Sequence, residues 1–259
     1  MQILFIGDIV GRPGREAIKS LLPAIKKEYK PALIVANAEN ASGGRGLTKD
    51  VAEELFANGL DFLTMGNHVW DQKEITKFID NEQRLIRPAN YPKGAPGKGY
   101  GFVYCNGFKI GIINLLGRIF LAPLENPFSM VMSLINNIAS ETPIIIVDFH
   151  AEATSEKVAM GWFLDGKVSA VVGTHTHIQT ADARILDRGT AYITDVGMTG
   201  PRDSVLGIKK EIVINGFLTQ MPARFEVASG LKQLNAVLID IDEKTGKSRN
   251  ITPIQLVCQ

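Results

Sequence analysis

Short apolar runs alternate with amphipathic stretches near the start of the chain. The runs at residues 3–6, 33–36 and 62–65 have the length of strands, and the stretches at 15–29, 49–58 and 74–79 carry apolar residues at helical spacing. An alternation of strand and helix predicts parallel strands that are joined by right-handed crossovers. We therefore expect a parallel sheet that is covered by helices.

Antiparallel strands join the predicted fold after residue 84. Asn106-Gly107 favours a two-residue hairpin turn between strands at 100–104 and 109–115. The pattern then predicts helices at 130–139 and 156–164 and strands at 143–147, 168–172, 183–186, 191–194, 223–228, 235–242 and 248–256. No repeat, low-complexity tract or linker divides the sequence, so we expect residues 1–259 to form a single domain of two stacked sheets with helices outside.

Composition excludes several classes of protein. Hydrophobic residues make up 45% of the 259 residues and charged residues 21%, which is typical of a folded globular protein and not of a disordered one. The net charge of +1 provides no general field for wrapping a long nucleic acid or for lying on an anionic membrane. The sequence shows no signal-peptide pattern and no apolar run of about 18 residues, so we expect a cytoplasmic protein without a membrane partner.

Side chains that can bind metals follow five of the predicted strands directly. These segments are Gly7-Asp8, Asn37-Ala38-Glu39-Asn40, Gly66-Asn67-His68, Asp148-Phe149-His150 and Gly173-Thr174-His175-Thr176-His177. The carboxyl ends of parallel strands share one edge of a sheet, and ligands bind at that edge. We therefore expect these side chains to converge.

The histidines strengthen this expectation. The chain has four, and each of them lies just beyond a predicted strand: His68, His150, His175 and His177. Taken singly, a histidine at a strand end can be an ordinary hydrogen-bonded residue, and Asp8 can cap the following helix. Their joint placement at one edge favours a metal site instead. His175 and His177 are two residues apart, so in an extended backbone their imidazoles would project to the same side.

The type of ligand narrows the choice of metal. Carboxylates, amides and imidazoles without a thiolate suit iron, manganese, cobalt or zinc better than calcium or copper(I). A single zinc site takes roughly three or four ligands, and the candidates here are more numerous. Two metals that share a carboxylate fit the sequence better.

These motifs resemble those of the calcineurin-like metallophosphoesterases, and in detail those of the YmdB-type branch of that superfamily. The resemblance extends from residue 1 to about residue 255. It rests on the runs Gly7–Gly14, Asn37–Asn40, Gly66–Asp71, Asp148–Lys157 and Thr194–Pro201. Most members of the wider superfamily have a histidine where this chain has Val10, and an aspartate where it has Glu39-Asn40; both departures are normal in the YmdB-type branch.

The resemblance implies a four-layer α/β/β/α sandwich and a site for two divalent or trivalent transition-metal ions, with iron favoured over manganese or cobalt. It implies that Glu39 bridges the two metals. The remaining ligands it implies are Asp8, Asn40 and His177 for the first metal, and Asn67, His150 and His175 for the second.

The same resemblance implies a mechanism. Two metals can lower the pKa of water toward about 7, so that a bridging hydroxide attacks phosphorus. His68, which this ligand set leaves free, is then the general acid for the leaving oxygen. Asp71 either orients His68 or caps a helix.

The implied substrates are 2′,3′-cyclic nucleotides, with 3′,5′-cyclic nucleotides and the 2′,3′-cyclic phosphate end of RNA as further candidates; a homo-oligomer is a family-level expectation. Two alternatives stay open at this point. The first is a phosphomonoesterase or protein phosphatase. The second is a regulatory protein that binds a nucleotide or RNA and uses its metals structurally.

Overall fold

The computed structural model describes residues 1–259 and contains two β-sheets. The strands of the first sheet are β1 (Gln2–Ile6), β2 (Asp8–Ile9), β3 (Leu33–Asn37), β4 (Phe62–Thr64), β11 (Met198–Pro201), β12 (Lys232–Ile241) and β13 (Ser248–Cys258). The strands of the second are β5 (Tyr100–Cys105), β6 (Phe108–Leu116), β7 (Ile145–His150), β8 (Ala170–Thr174), β9 (Arg184–Ile185) and β10 (Ala191–Ile193). The helices are α1 (Gly11–Tyr29), α2 (Lys49–Ala57), α3 (Pro127–Ala139), α4 (Thr154–Leu164) and α5 (Lys210–Thr219).

Alternating side chains along the strands divide the interior into three apolar layers. In β1, Phe5 packs into the layer between the sheets, whereas Leu4 packs into the layer that holds residues of α1 and α2. In β7, Ile146 belongs to the middle layer and Val147 to the layer that holds residues of α3 and α4. The order of layers is therefore helix, sheet, sheet, helix, which confirms the predicted four-layer α/β/β/α fold.

Parallel pairs dominate the second sheet and one half of the first, as the alternating pattern predicted, whereas β12 pairs antiparallel with β1 in the middle of the first sheet. β1 pairs with β3, and β3 with β4, in parallel. In the second sheet the parallel pairs are β6 with β7, β7 with β8, and β8 with β10. The predicted hairpin of β5 and β6 is antiparallel, and Asn106 and Gly107 both have positive φ in its turn. The carboxyl ends of β1, β3, β4, β7 and β8 consequently meet at one edge of the molecule.

Two predicted elements differ from the structure, and one helix was not predicted. The expected helix at 74–79 is a single 3-10 turn, Lys73–Lys77, in which Ile75 alone is buried. The expected strand at 223–228 makes only an isolated bridge from Val227 to Ile208. α5 was not predicted, because its β-branched run favours a strand and no residue of this helix is buried to give a helical period. None of the five α-helices is both long enough and apolar enough to cross a membrane.

Replacing Phe62 with alanine should test the layer between the sheets. Phe62 lies in β4 and is fully buried in that layer. We expect Phe62→Ala to lower the free energy of unfolding by about 3–5 kcal/mol in urea denaturation, because it leaves a cavity that neither sheet can fill. Phe217→Ala in α5 is the matched control, because Phe217 is 75% exposed. Equal effects of the two substitutions would contradict the layer assignment.

Candidate active site

The seven predicted metal ligands lie together at the carboxyl edge of the sheets. Segments that follow β1, β3 and β4 carry four of them, and β7 and the turn after β8 carry three histidines. A chain of short contacts joins Asp8, Glu39, Asn40, Asn67, His150, His175 and His177. Because the cluster draws on both sheets, it can form only where they pack against each other.

One group of ligand-type atoms surrounds the imidazole of His150. Its Nε2 lies 3.1 Å from Glu39 Oε1, 3.0 Å from Asn67 Oδ1 and 3.0 Å from His175 Nδ1. A single ring nitrogen cannot satisfy two oxygens and a second ring nitrogen with one proton. The convergence of these atoms suits a bound cation better than a network of hydrogen bonds. The ligand atoms of Glu39, His150 and His175 lie close enough to share one metal ion.

A second group adjoins the first at Glu39. Glu39 Oε1 also lies 3.1 Å from Asn40 Nδ2, which is 3.2 Å from His177 Nε2. Turning the Asn40 amide about its last torsion would place its oxygen at the same point. Glu39 Oε1 therefore stands between two sets of ligand-type atoms.

Asp8 provides a direct test of whether the site fits a cation. Its Oδ2 accepts the backbone N–H of His175 at 3.1 Å, but its buried Oδ1 has no hydrogen-bond partner. Buried carboxylate oxygens normally have a hydrogen-bond partner, so the lack of one at Asp8 Oδ1 indicates that a further ligand belongs there. A metal ion beside Asp8 would supply it, and the residues present fit such an ion.

The pKa values of the buried carboxylates and histidines also indicate that the site favours a positive charge. Burial raises the pKa of Asp8 to about 6. Burial opposes the charge of Glu39 as well, but nearby His150 outweighs it and lowers the pKa of Glu39 to about 2. For His150, burial is outweighed by Glu39 and Asp8, which raise its pKa to about 9. Burial and the charge of His150 lower the pKa of His175 to about 3. Two buried carboxylates thus hold a positive charge between them.

A buried relay fixes the orientation of His150. Asp148 precedes it by two residues in β7, so both side chains project between the sheets. The Thr174 hydroxyl donates to Asp148 Oδ1 at 2.7 Å and lies 2.8 Å from His150 Nδ1. Having given its proton to Asp148, this hydroxyl can only accept from Nδ1–H. Once the second proton of His150 leaves, the lone pair of Nε2 faces the ligand cluster.

The turn that carries His175 and His177 differs from the extended backbone that the sequence suggested. β8 ends at Thr174, and His175 and His177 have φ values of 101° and 67°. This turn sends His175 toward His150 and His177 toward Asn40. A left-handed φ costs a residue other than glycine on the order of 1–3 kcal/mol, so neighbouring contacts must hold the turn.

Gly66 shows how tightly the cluster is packed. A Cβ at this position would lie 2.3 Å from Glu39 Oε2 and 2.4 Å from His150 Nε2. Only glycine leaves room for both ligand-type side chains beside the backbone. This close approach explains the glycine that precedes Asn67 and His68.

The imidazole of His68 lies at the cluster but takes no part in the side-chain contacts that join the seven residues. Its backbone N–H donates to Glu39 Oε2 at 3.1 Å, and its Nδ1 lies 2.9 Å from Asp71 Oδ2. The following 3-10 turn has no side-chain cap, so Asp71 contacts His68 and does not cap that turn. With Nδ1–H held by Asp71, His68 Nε2 is available to the cavity.

A cavity of about 470 Å³ opens beside the cluster. Its polar side is formed by Glu39, Asn40, His68, Glu152, His175 and His177, and its apolar side by Leu206, Ile208, Phe225 and Val227. Arg45 is the only arginine or lysine in the lining. The volume and the mixture of polar and apolar walls suit a small organic ligand.

Several polar residues of the site were missed from the sequence. They are Asp148, Thr174 and Glu152. Glu152 Oε2 lies 2.8 Å from His175 Nε2, the ring nitrogen that does not contact His150. Each of these residues lies within two positions of a predicted ligand or beside it in a quoted motif. That proximity was the available signal, but it could not specify the contacts.

Comparisons with known proteins agree with the fold. The YmdB-like protein family model matches residues 4–254. The chain is 55% identical to a 2′,3′-cyclic-nucleotide 2′-phosphodiesterase of Bacillus subtilis, over 98% of this chain and 96% of that protein. A phosphatase from Mycoplasma pneumoniae has a TM-score of 0.94 and 39% identity, covering 99% of this chain and 93% of that one. The NAD nucleotidase of Haemophilus influenzae shares the fold alone, with a TM-score of 0.63 and 14% identity over 99% of this chain and 56% of its own.

The fold and the site define a metallophosphoesterase-type hydrolase. The chain belongs to the YmdB-like family. It is therefore an enzyme that hydrolyses phosphodiester bonds, as the sequence predicted.

Metal binding should compete with protons at this site. Because the pKa of His150 is raised to about 9, a cation that binds the metal-stripped protein at neutral pH must displace its proton. We expect the apparent affinity for Mn²⁺ to rise with pH between about 6 and 8, by up to about tenfold per pH unit for each proton released. Isothermal titration calorimetry in buffers of different ionisation enthalpy counts those protons. An affinity that does not change with pH would contradict the role of His150.

Proposed function

We propose that the chain is a two-metal phosphodiesterase that hydrolyses 2′,3′-cyclic nucleotides at the 2′ oxygen and leaves a 3′-monophosphate. The observation that carries the proposal is the position of Glu39 Oε1 between two sets of ligand-type atoms, with His68 beside them. The Bacillus subtilis relative supports the choice of substrate. Further substrates in this proposal are 3′,5′-cyclic nucleotides and the 2′,3′-cyclic phosphate end of RNA.

In this proposal Glu39 bridges the two metals. The contacts support one set that contains Asn40 and His177 and a second set of Asn67, His150 and His175. Asp8, whose charge interacts with His177, would complete the first set. Ligands of oxygen and imidazole nitrogen without sulfur suit iron, manganese or cobalt, and the family resemblance favours iron among them. When bound, the metals supply Lewis acidity, which neutralises phosphate charge and lowers the pKa of water.

His68 would protonate the leaving oxygen. The 2′ oxygen of a ribose is a poor leaving group unless it receives a proton as the bond to phosphorus breaks. Asp71 holds Nδ1–H of His68, so Nε2 is the nitrogen that can deliver a proton into the cavity. The imidazole is 23% exposed, which leaves it accessible to a substrate without making it freely mobile.

The polar and apolar sides of the cavity favour a nucleotide over a bare phosphate ester as the substrate. Its polar side can hold the phosphate and ribose, and Phe225 on the apolar side offers a flat face to a base. A dianionic monoester would favour more fixed cations, whereas the lining contains Arg45 alone. A protein that only binds nucleotides has no need of an acid, so the His68–Asp71 pair argues against the regulatory alternative.

We also propose that residues 1–259 work as one domain. The support is that the ligand-type side chains come from both sheets, so neither sheet could form the centre alone. A homo-oligomer and a cytoplasmic location stay predictions.

A substrate panel tests the proposed function. With the same metal loaded, kcat/KM for 2′,3′-cyclic AMP and bis-p-nitrophenyl phosphate should exceed that for 3′-AMP and p-nitrophenyl phosphate by at least about tenfold, because the lining has few fixed cations for a dianion. Glu39→Gln should abolish turnover of every substrate. Preferred hydrolysis of the monoesters would overturn the assignment, and a Glu39→Gln variant that kept a cellular effect without hydrolysis would favour the regulatory alternative.

Replacement of His68 with alanine tests the general acid. We expect kcat on 2′,3′-cyclic AMP to fall by about 10²–10⁴-fold. The loss on bis-p-nitrophenyl phosphate should be much smaller, because p-nitrophenolate leaves without a proton. Metal content, measured by mass spectrometry of the purified protein, should stay at the wild-type value, whereas the matched His175→Ala variant should lose metal. Loss of metal from His68→Ala would make His68 a ligand or a structural support.

A further inference from the structure

We propose that Lys157 and Asp195 form a buried ion pair that positions the His175–His177 turn for metal binding. Neither residue is among the ligands or the acid, and both would act through the turn. The inference rests on the proposed metal centre and adds two positioning residues to it.

Lys157 is placed where a lysine is not expected. It lies in the first turns of α4, yet its side chain is only 1% exposed. Its Nζ donates to Asp195 Oδ2 and to the carbonyl oxygen of Thr174, both at 2.6 Å. Thr174 is the last residue of β8, so Lys157 anchors the backbone at the point where the histidine turn begins.

Asp195 holds the middle of the same turn. Besides Lys157, its Oδ2 accepts the backbone N–H of Thr176 at 3.0 Å and the Thr176 hydroxyl at 2.8 Å. Its Oδ1 accepts the backbone N–H of Gly197 at 2.8 Å. The carboxylate is fully buried and fully hydrogen-bonded.

These contacts act where the backbone is strained. Thr176 lies between His175 and His177, which both have positive φ. Residues of this kind persist in a left-handed conformation only when their surroundings over-determine it. Asp195 fixes the residue between them, and Lys157 fixes the residue before them. The pair therefore positions both imidazoles, so that His175 joins one set of ligand-type atoms and His177 joins the other.

A buried ion pair is an expensive way to stabilise a fold, because both charges lose their hydration. Apolar side chains of similar volume would stabilise the same space at least as well. The energetic cost is consistent with a role in geometry, and that role can be separated from stability by experiment.

The experiment compares three variants: Lys157→Met, Asp195→Asn and the double variant. Metal-stripped proteins are titrated with Co²⁺, whose visible absorption reports both affinity and coordination geometry, and their thermal unfolding is measured without metal. We expect each single variant to bind Co²⁺ about 10–100-fold more weakly, with an altered spectrum. The double variant should recover thermal stability, because it leaves no unpaired buried charge, but it should not recover the affinity or the spectrum.

Asp165→Asn is the matched control. Asp165 is a buried carboxylate at the far end of α4 that accepts the backbone N–H of Arg188, so it ties a turn remote from the cluster. This variant should lose stability and keep the wild-type Co²⁺ spectrum. Because the double variant is uncharged at both positions, it keeps the test decisive if a single variant does not fold.

Two results would count against the inference in different ways. If the double variant recovered the wild-type affinity and spectrum together with its stability, Lys157 and Asp195 would be structural only. If wild-type protein bound no Co²⁺ at all, the proposed metal centre itself would fail.

Discussion

The burial of two carboxylates between the sheets is the constraint on which the site depends. Asp8 and Glu39 are both excluded from solvent, and an uncompensated buried charge costs several kcal/mol. Backbone N–H groups of His68 and His175 donate to them, and His150 lies 3.1 Å from Glu39. Asp8 Oδ1 is 3.7 Å from His150 Nδ1 and is still left without a hydrogen-bond partner. The protein supplies part of the positive potential that these groups require, and the geometry leaves the remainder to a cation.

The sequence was informative wherever a local pattern determines a position. Buried strands such as Gln2–Ile6 and Leu33–Asn37 are apolar on both faces, so they stand out from the amphipathic helices that follow. Parallel pairing then brings their carboxyl ends to one edge, whatever the details of packing. The convergence of seven polar side chains could therefore be anticipated from strand ends alone. The helix α5 could not, because its residues are exposed and their spacing records no buried face.

Contacts between distant segments were beyond a local pattern. Lys157 follows Glu156 in α4, and a pair of charged residues predicts a solvent face, yet both side chains are buried. The burial of Lys157 depends on Asp195, which is 38 residues away. The relay through Thr174 likewise needs Asp148 and His150 on β7 to face the end of β8. In our proposal, contacts from Lys157 and Asp195 hold the left-handed backbone at His175 and His177. The spacing of two residues correctly predicted that His175 and His177 reach the same cluster, although the backbone between them is not extended.

Val10 illustrates how the site departs from the wider superfamily that the motifs resemble. Most members of that superfamily have a histidine at this position, whereas Val10 is 2% exposed and packs beside Gly200 and Gly207. A Cβ at Gly207 would lie 2.7 Å from Val10 Cγ1, so there is no room for a larger side chain without moving the segment that leads to the apolar wall of the cavity. The chain thus uses this position to pack that segment. In the proposed metal centre, Asn40 and His177 would join Asp8 without a histidine from position 10, so the placement of the turn that carries His177 would matter more.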